Sequence, residues 1–127
     1  MEQFRKLTKE ELKNNIWKGK DFPEIIYLSS KWMVNKNNWF GYFKDNKLIG
    51  ICHLKYKENY LYLHLLEIHK EYQNKGYGKE IIKNLIRISQ KLRYNIIKVN
   101  PRDYRCYGFY TKCGFKQIFD KNWQLEI

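Results

Sequence analysis

Cysteine is scarce in this chain of 127 residues and poorly spaced for cross-linking. Cys52, Cys106 and Cys113 are odd in number, and no two share a C-x-x-C spacing. That pattern argues against a disulfide scaffold and a zinc site, so reduced buried thiols and no metal are expected. Proline stands only at 23 and 101, and no repeat, linker or low-complexity stretch interrupts the sequence. One domain over residues 1–127 is the expectation. No apolar run approaches the ~18 residues of a membrane span. The polar start Met1-Glu2-Gln3-Phe4-Arg5-Lys6 is unlike a secretory signal. A cytoplasmic protein with no membrane partner, as a monomer or homodimer, is expected.

Alanine is absent altogether, and arginine occurs only at 5, 87, 93, 102 and 105, so 20 of the 25 basic residues are lysine. Lys, Asn, Ile and Tyr abound instead, a bias typical of AT-rich coding. The formal net charge of +12 invites a nucleic-acid partner, but no arginine cluster, basic tail or block supports it. A diffuse solvated surface and a selected anionic partner both stay open. What the chain does hold is apolar: 43% hydrophobic and 17% aromatic residues exclude a disordered chain.

Thr8-Lys9-Glu10-Glu11 reads as a capping box, with Thr8 as N-cap and Glu11 at the third helical position. A second helix is expected from about Pro23 to Val34, with Ile26, Leu28, Trp32 and Met33 as its apolar face. Then the period changes. Asn38 to Phe43, Leu48 to Tyr56 and Tyr60 to Ile68 read as strands, joined by turns at Lys44-Asp45-Asn46-Lys47 and Lys57-Glu58-Asn59. The longest helix runs from Gly76 or Gly78 to about Leu92, with Ile81, Ile82, Leu85, Ile88 and Leu92 as its buried stripe. A short strand from Asn95 to Val99, a helix from Asp103 to Cys113 and one or two strands from Phe115 to Ile127 complete the order. Asp103 is the N-cap candidate of that helix and Gly114 its C′ residue. The fold class is α/β, a mixed central sheet in which an antiparallel meander is followed by strand, helix, strand, helix and strand.

The most informative segment runs from Leu65 to Lys79. A strand ends, a polar turn follows, and Gly76 and Gly78 stand at the mouth of the longest helix. Free N–H groups and the positive end of the helix dipole make such a place an anion site, and glycine permits positive φ and close backbone approach. Lys75 and Lys79 add charge there. An ordinary strand-to-helix turn is the plain alternative.

Gln73-Asn74-Lys75-Gly76-Tyr77-Gly78 resembles the [Q/R]-x-x-G-x-[G/A] acetyl-CoA loop of the GCN5-related N-acetyltransferase (GNAT) superfamily. Downstream, Asp103 to Phe115 resembles that family's second signature, N-x-x-A-x-x-[LF]-Y-x-x-x-G-F. The two stand in the family's order, and the resemblance covers about residues 38 to 119. It implies a GNAT-like fold, acetyl-CoA as donor and a primary amine as acceptor. Carried over by position, Leu66 to Ile68 would offer strand backbone to the pantetheine arm. Backbone amides of Gln73, Asn74, Lys75, Gly76, Tyr77, Gly78 and Lys79 would hold the pyrophosphate. Tyr110 matches the tyrosine that protonates, or hydrogen-bonds to, the departing thiolate; packing is its alternative role. Two positions depart from the pattern. Asp103 replaces asparagine, placing a negative charge near an anionic ligand, and Cys106 replaces a small residue.

A lysine-like amine is only about 0.1% neutral near pH 7.4, so attack requires proton removal. Glu67 ranks first as general base and His64 second. By strict alternation Glu67 shares a face with Leu61, Leu63 and Leu65, while Tyr62 and His64 share the other; a splayed strand would break that parity. His53 and His69 read as surface or packing residues, and the Cys52-His53 pair as accidental. The acceptor is left open between small amines, peptides or proteins, and aminoacyl-tRNA. The reading from another class is a basic nucleic-acid-binding module without chemistry.

Overall fold

A computed structural model describes residues 1–17, 20–28 and 37–127. The first elements are strand β1 (Glu2–Lys6), helix α1 (Lys9–Leu12) with a π-helical turn after it (Lys13–Trp17), and helix α2 (Pro23–Leu28). Strands β2 (Trp39–Lys44), β3 (Lys47–Tyr56) and β4 (Leu61–Ile68) follow, then helix α3 (Tyr77–Lys91) and strand β5 (Ile96–Val99). A 3-10 turn (Tyr104–Cys106), helix α4 (Tyr107–Lys112) and strands β6 (Lys116–Phe119) and β7 (Asn122–Glu126) end the chain. Among the described residues, seven strands form one mixed sheet in the order β1-β2-β3-β4-β5-β7-β6, with β4 and β5 parallel. The expected α/β class and the meander-then-crossover order are what the chain adopts.

The chain divides into two compact units, Met1–His53 with Leu65–Ile81, and Leu54–His64 with Ile82–Ile127. In the first, β2 pairs with both β1 and β3 in antiparallel register, Phe4 opposite Tyr42 and Phe40 opposite Cys52. Asp45 and Asn46 take φ of 50° and 66°, the doubly left-handed turn that joins twisted strands in two residues. Strand β1 was not expected. Glu2-Gln3-Phe4-Arg5-Lys6 has no alternation of apolar and polar residues, because an edge strand needs only one anchored face; Phe4 stacks on Phe40 at 5.4 Å.

Thr8 and Glu11 form the expected reciprocal cap, and the Arg5 guanidinium donates to both Glu11 oxygens, at 3.0 and 2.8 Å. Leu12, Phe22, Ile25, Trp39 and Ile51 build the core of this unit, with Leu65 packed against it. Helix α2 starts at Pro23 as expected, and its expected continuation, with Trp32 and Met33, lies outside the described residues; so do the side chains of Ile26 and Leu28.

In the second unit, Leu61 pairs with Ile97 and Leu63 with Val99, and Val99 pairs with Trp123 across to β7. Ile82 and Leu85 are buried on α3, but Leu92 is 53% exposed. The helix stops at Lys91 and Arg93 turns left-handed at φ 65°, which takes Leu92 off the buried stripe. The expected helix from Asp103 divides into the 3-10 turn and α4. Gly114 closes α4 at φ 97°, its N–H donating to the Thr111 carbonyl at 3.0 Å.

Candidate active site

Strand β4 hands over to α3 through a loop whose backbone is tightly specified. Past Ile68, the His69 N–H still donates to the Ile49 carbonyl at 2.7 Å, and the Tyr72 N–H returns to the His69 carbonyl at 2.8 Å. The Gln73 side-chain amide reaches back to the Ile68 carbonyl at 3.2 Å. Asn74 and Gly76 are left-handed, at φ 62° and 89°. The first helical bond runs from the Glu80 N–H to the Gly76 carbonyl at 3.2 Å. The N–H groups of Tyr77, Gly78 and Lys79 therefore begin α3 without intrahelical acceptors, at the positive end of a 15-residue helix. A Cβ at Gly76 would meet no atom within 4 Å, so the loop opens onto free space there. Backbone donors at a helix start are a chemical match for a phosphate.

Lysines gather around the same turn. The Lys44 ammonium donates to the Tyr77 hydroxyl at 3.1 Å. Those of Lys47 and Lys75 lie 5.0 and 5.5 Å from the centre of the Tyr72 ring, and the Tyr72 and Tyr77 rings meet edge to face at 6.0 Å. In the sequence, Lys44 and Lys47 stand only as the ends of a hairpin turn. Their arrival beside the loop depends on β2–β3 pairing, which no local motif announces.

Glu67 follows the expected alternation: it lies on the face of β4 that Leu65 turns toward the core. It is 6% exposed. Its two oxygens accept the N–H groups of Glu24 at 2.9 Å and Ile25 at 2.6 Å. Burial pushes its carboxyl up to about 7, against the opposing pull of the Ile25 N–H. The partners of this strand-end carboxylate are thus the backbone donors of a helix start. His64, the second candidate, is half-buried and stacks beside Tyr62 at 6.1 Å. Burial, then Lys55, holds its imidazole below the usual histidine range. His53 contacts the Asn37 carbonyl through Nε2 at 2.9 Å and lies 4.9 Å from the Trp39 ring. His69 is buried, with Nδ1 accepting the Glu71 N–H at 3.1 Å and Nε2 3.4 Å from an Asp21 oxygen. Both are buried rather than at the surface.

In the other unit, Tyr110 is buried, with its ring edge-on to Phe109 at 5.0 Å and Phe115 at 5.4 Å. Asp103 caps the 3-10 turn, accepting the Arg105 N–H at 2.9 Å, and the Arg105 side chain closes on both carboxylate oxygens at 3.1 and 2.8 Å. That pairing holds Asp103 at about 2 and offsets the negative charge this position brings. Among the described residues, no group of three or more His, Cys, Asp or Glu is gathered for a metal, and no helix is long and apolar enough to cross a membrane.

Similar backbones are known. An N-acetyltransferase, PaiA, from Thermoplasma acidophilum, solved with coenzyme A, superposes with a TM-score of 0.76 at 21% identity, covering 100% of this chain and 99% of that one. The ribosomal-protein-S18-alanine N-acetyltransferase of Escherichia coli gives 0.74 at 12% identity, covering 100% and 94%. A GNAT family acetyltransferase from Elizabethkingia anophelis with acetyl-CoA bound gives 0.69 at 14%, covering 99% and 98%. At these identities the likeness establishes the fold. No curated protein matches the sequence. The model of the acetyltransferase (GNAT) family, however, matches residues 1–115, nine-tenths of the chain, and with the loop between β4 and α3 it leads to one conclusion: this chain belongs to the GNAT acetyltransferase family.

Proposed function

We propose that the chain transfers the acetyl group of acetyl-CoA directly to a primary amine within a ternary complex. The observation that carries this reading is the left-handed Gly76 at the mouth of α3, where a Cβ would meet open space and the first N–H groups of the helix have no intrahelical acceptor. In this reading the amides of Gln73 to Lys79 hold the pyrophosphate, and the backbone of Leu66 and Ile68 holds the pantetheine arm. Lys44, Lys47 and Lys75 supply the local positive field. The amine nitrogen attacks the thioester carbonyl carbon, the carbon–sulfur bond breaks, and the thiolate takes a proton from the Tyr110 hydroxyl. Holding amine and thioester together replaces a bimolecular encounter, so no covalent enzyme intermediate is required.

The amine's own proton leaves to water in this reading, and Glu67, which accepts one backbone N–H on each oxygen, holds the start of α2. The acceptor is a small amine, a peptide or protein amine, or an aminoacyl-tRNA, in a cytoplasmic setting. Calorimetry with CoA, followed by a CoA-release screen over polyamines, amino acids, peptides, aminoglycosides and charged tRNA, tests the proposal. Micromolar CoA binding and release with one acceptor class are expected. No CoA binding at millimolar ligand, with a salt-dependent shift on polynucleotide, would replace the enzyme by a basic nucleic-acid-binding module.

A further inference from the structure

The start of α2 is tied to the end of β4 and the turn after it at four points. Pro23 has no N–H to offer, so the next two donors of the helix belong to Glu24 and Ile25, and Glu67 accepts both. One residue pair further out, the Lys70 N–H donates to the Asp21 carbonyl at 2.9 Å, and His69 Nε2 faces the Asp21 carboxylate at 3.4 Å. Between them Phe22, fully buried, meets the His69 ring edge to face at 5.7 Å. A helix normally receives such caps from the residue just before it. Here the cap comes from a strand 42 residues later in the chain, which makes it a tertiary tie.

We infer that Glu67 is a positioning residue, seating the first turn of α2 one side-chain length from the backbone of Leu66 and Ile68 and so fixing the wall along which the acceptor amine approaches. The inference rests on the proposed acetyl transfer for its functional half; the structural half stands on the hydrogen bonds alone. The geometry gives Glu67 this role in place of the base role. Its two oxygens each hold a backbone N–H and the residue is only 6% exposed, which leaves little carboxylate surface for an amine to meet. Asp21 and His69 act with it. Because Nδ1 accepts the Glu71 N–H, the hydrogen of the neutral ring sits on Nε2, directed at Asp21.

The test uses the full chain with Glu67→Ala and Glu67→Gln. Amide hydrogen exchange is read residue by residue at Glu24 and Ile25, CoA affinity by calorimetry, and kinetics by CoA release with spermidine as the amine probe. In Glu67→Ala, exchange at both amides should rise at least tenfold. CoA affinity should stay within twofold, and the KM for spermidine should rise at least fivefold while kcat changes less than threefold. Glu67→Gln keeps one acceptor oxygen and should fall between, restoring part of the spermidine KM. Unchanged exchange at Glu24 and Ile25 in a folded Glu67→Ala chain would overturn the tie. A kcat loss of a hundredfold or more in both variants, with the spermidine KM unmoved, would overturn the positioning role in favour of a base. If the parent chain binds no CoA, the acetyl-transfer reading fails by itself, and the exchange result still decides the tie.

Discussion

Asn74 and Gly76 turn the backbone left-handed on either side of Lys75, at φ 62° and 89°. Asparagine tolerates that region and β-branched residues do not. Gly76→Val should therefore lower CoA affinity at least tenfold, through strain at the turn and a side chain in the space where phosphate would approach. Asn74→Gly should keep affinity within about threefold. Calorimetry at two salt concentrations checks both, and affinity should fall as salt rises. Full affinity in a folded Gly76→Val chain would show that the loop is not the phosphate site.

Tyr110 offers a cleaner separation of packing from chemistry. Its ring is held by Phe109 and Phe115, and phenylalanine keeps that volume. Tyr110→Phe should stay folded and bind CoA nearly as the parent does, while kcat falls roughly a hundredfold, because a proton donor to the leaving thiolate acts in the transition state. Turnover within a factor of two of the parent would remove Tyr110 from the mechanism.

Glu67 also makes a pH prediction. Burial raises its carboxyl from 4.5 to about 7, so the folded chain holds this proton more tightly than the unfolded chain. Its contribution to stability is complete below about pH 4.5 and is lost as pH rises through about 7, by a few kcal/mol at most, at ~1.4 kcal/mol per pKa step. Urea unfolding of the parent and Glu67→Gln at pH 5 and pH 7.5 isolates the effect. The parent should lose more stability across that interval than the variant, and identical losses would contradict the assignment.

Two glycines in the second unit should respond to alanine with opposite signs. A Cβ at Gly108, inside α4, meets nothing within 4 Å and its φ is not left-handed. Gly108→Ala should stabilise the chain by ~0.5–1 kcal/mol. At Gly114 the φ of 97° and the Leu125 Cδ1 atom 3.1 Å from the added carbon both oppose a side chain, and Gly114→Ala should destabilise it by ~1 kcal/mol or more. Thermal unfolding of the two variants against the parent reads the signs directly.

Elements whose determinants are close in sequence were legible without a structure. The Thr8–Glu11 cap, the hairpin turn at Asp45-Asn46, the alternation that places Glu67 with Leu65, and the glycines opening α3 all depend on contacts within about four residues or on a strict period. The strand β1 was not legible, because an edge strand takes its identity from its neighbour β2 and carries little pattern of its own. Leu92 fits the helical stripe by period, yet a helix ending at Lys91 leaves it exposed, and that end depends on the left-handed turn at Arg93.

By itself, then, the sequence determined the α/β order, the glycine-bearing turn of Gln73 to Lys79 at the mouth of the longest helix and the family resemblance, since each is written in residue types at short spacing. Only the tertiary structure decided what Glu67 faces and which lysines surround the loop. Glu67 meets Glu24 and Ile25 across more than 40 residues of chain, and Lys44 meets Tyr77 across 33. The physical reason is that a carboxylate or an ammonium is specified by its partners, and partners brought together by sheet pairing and helix docking leave no periodic trace in the chain that carries them.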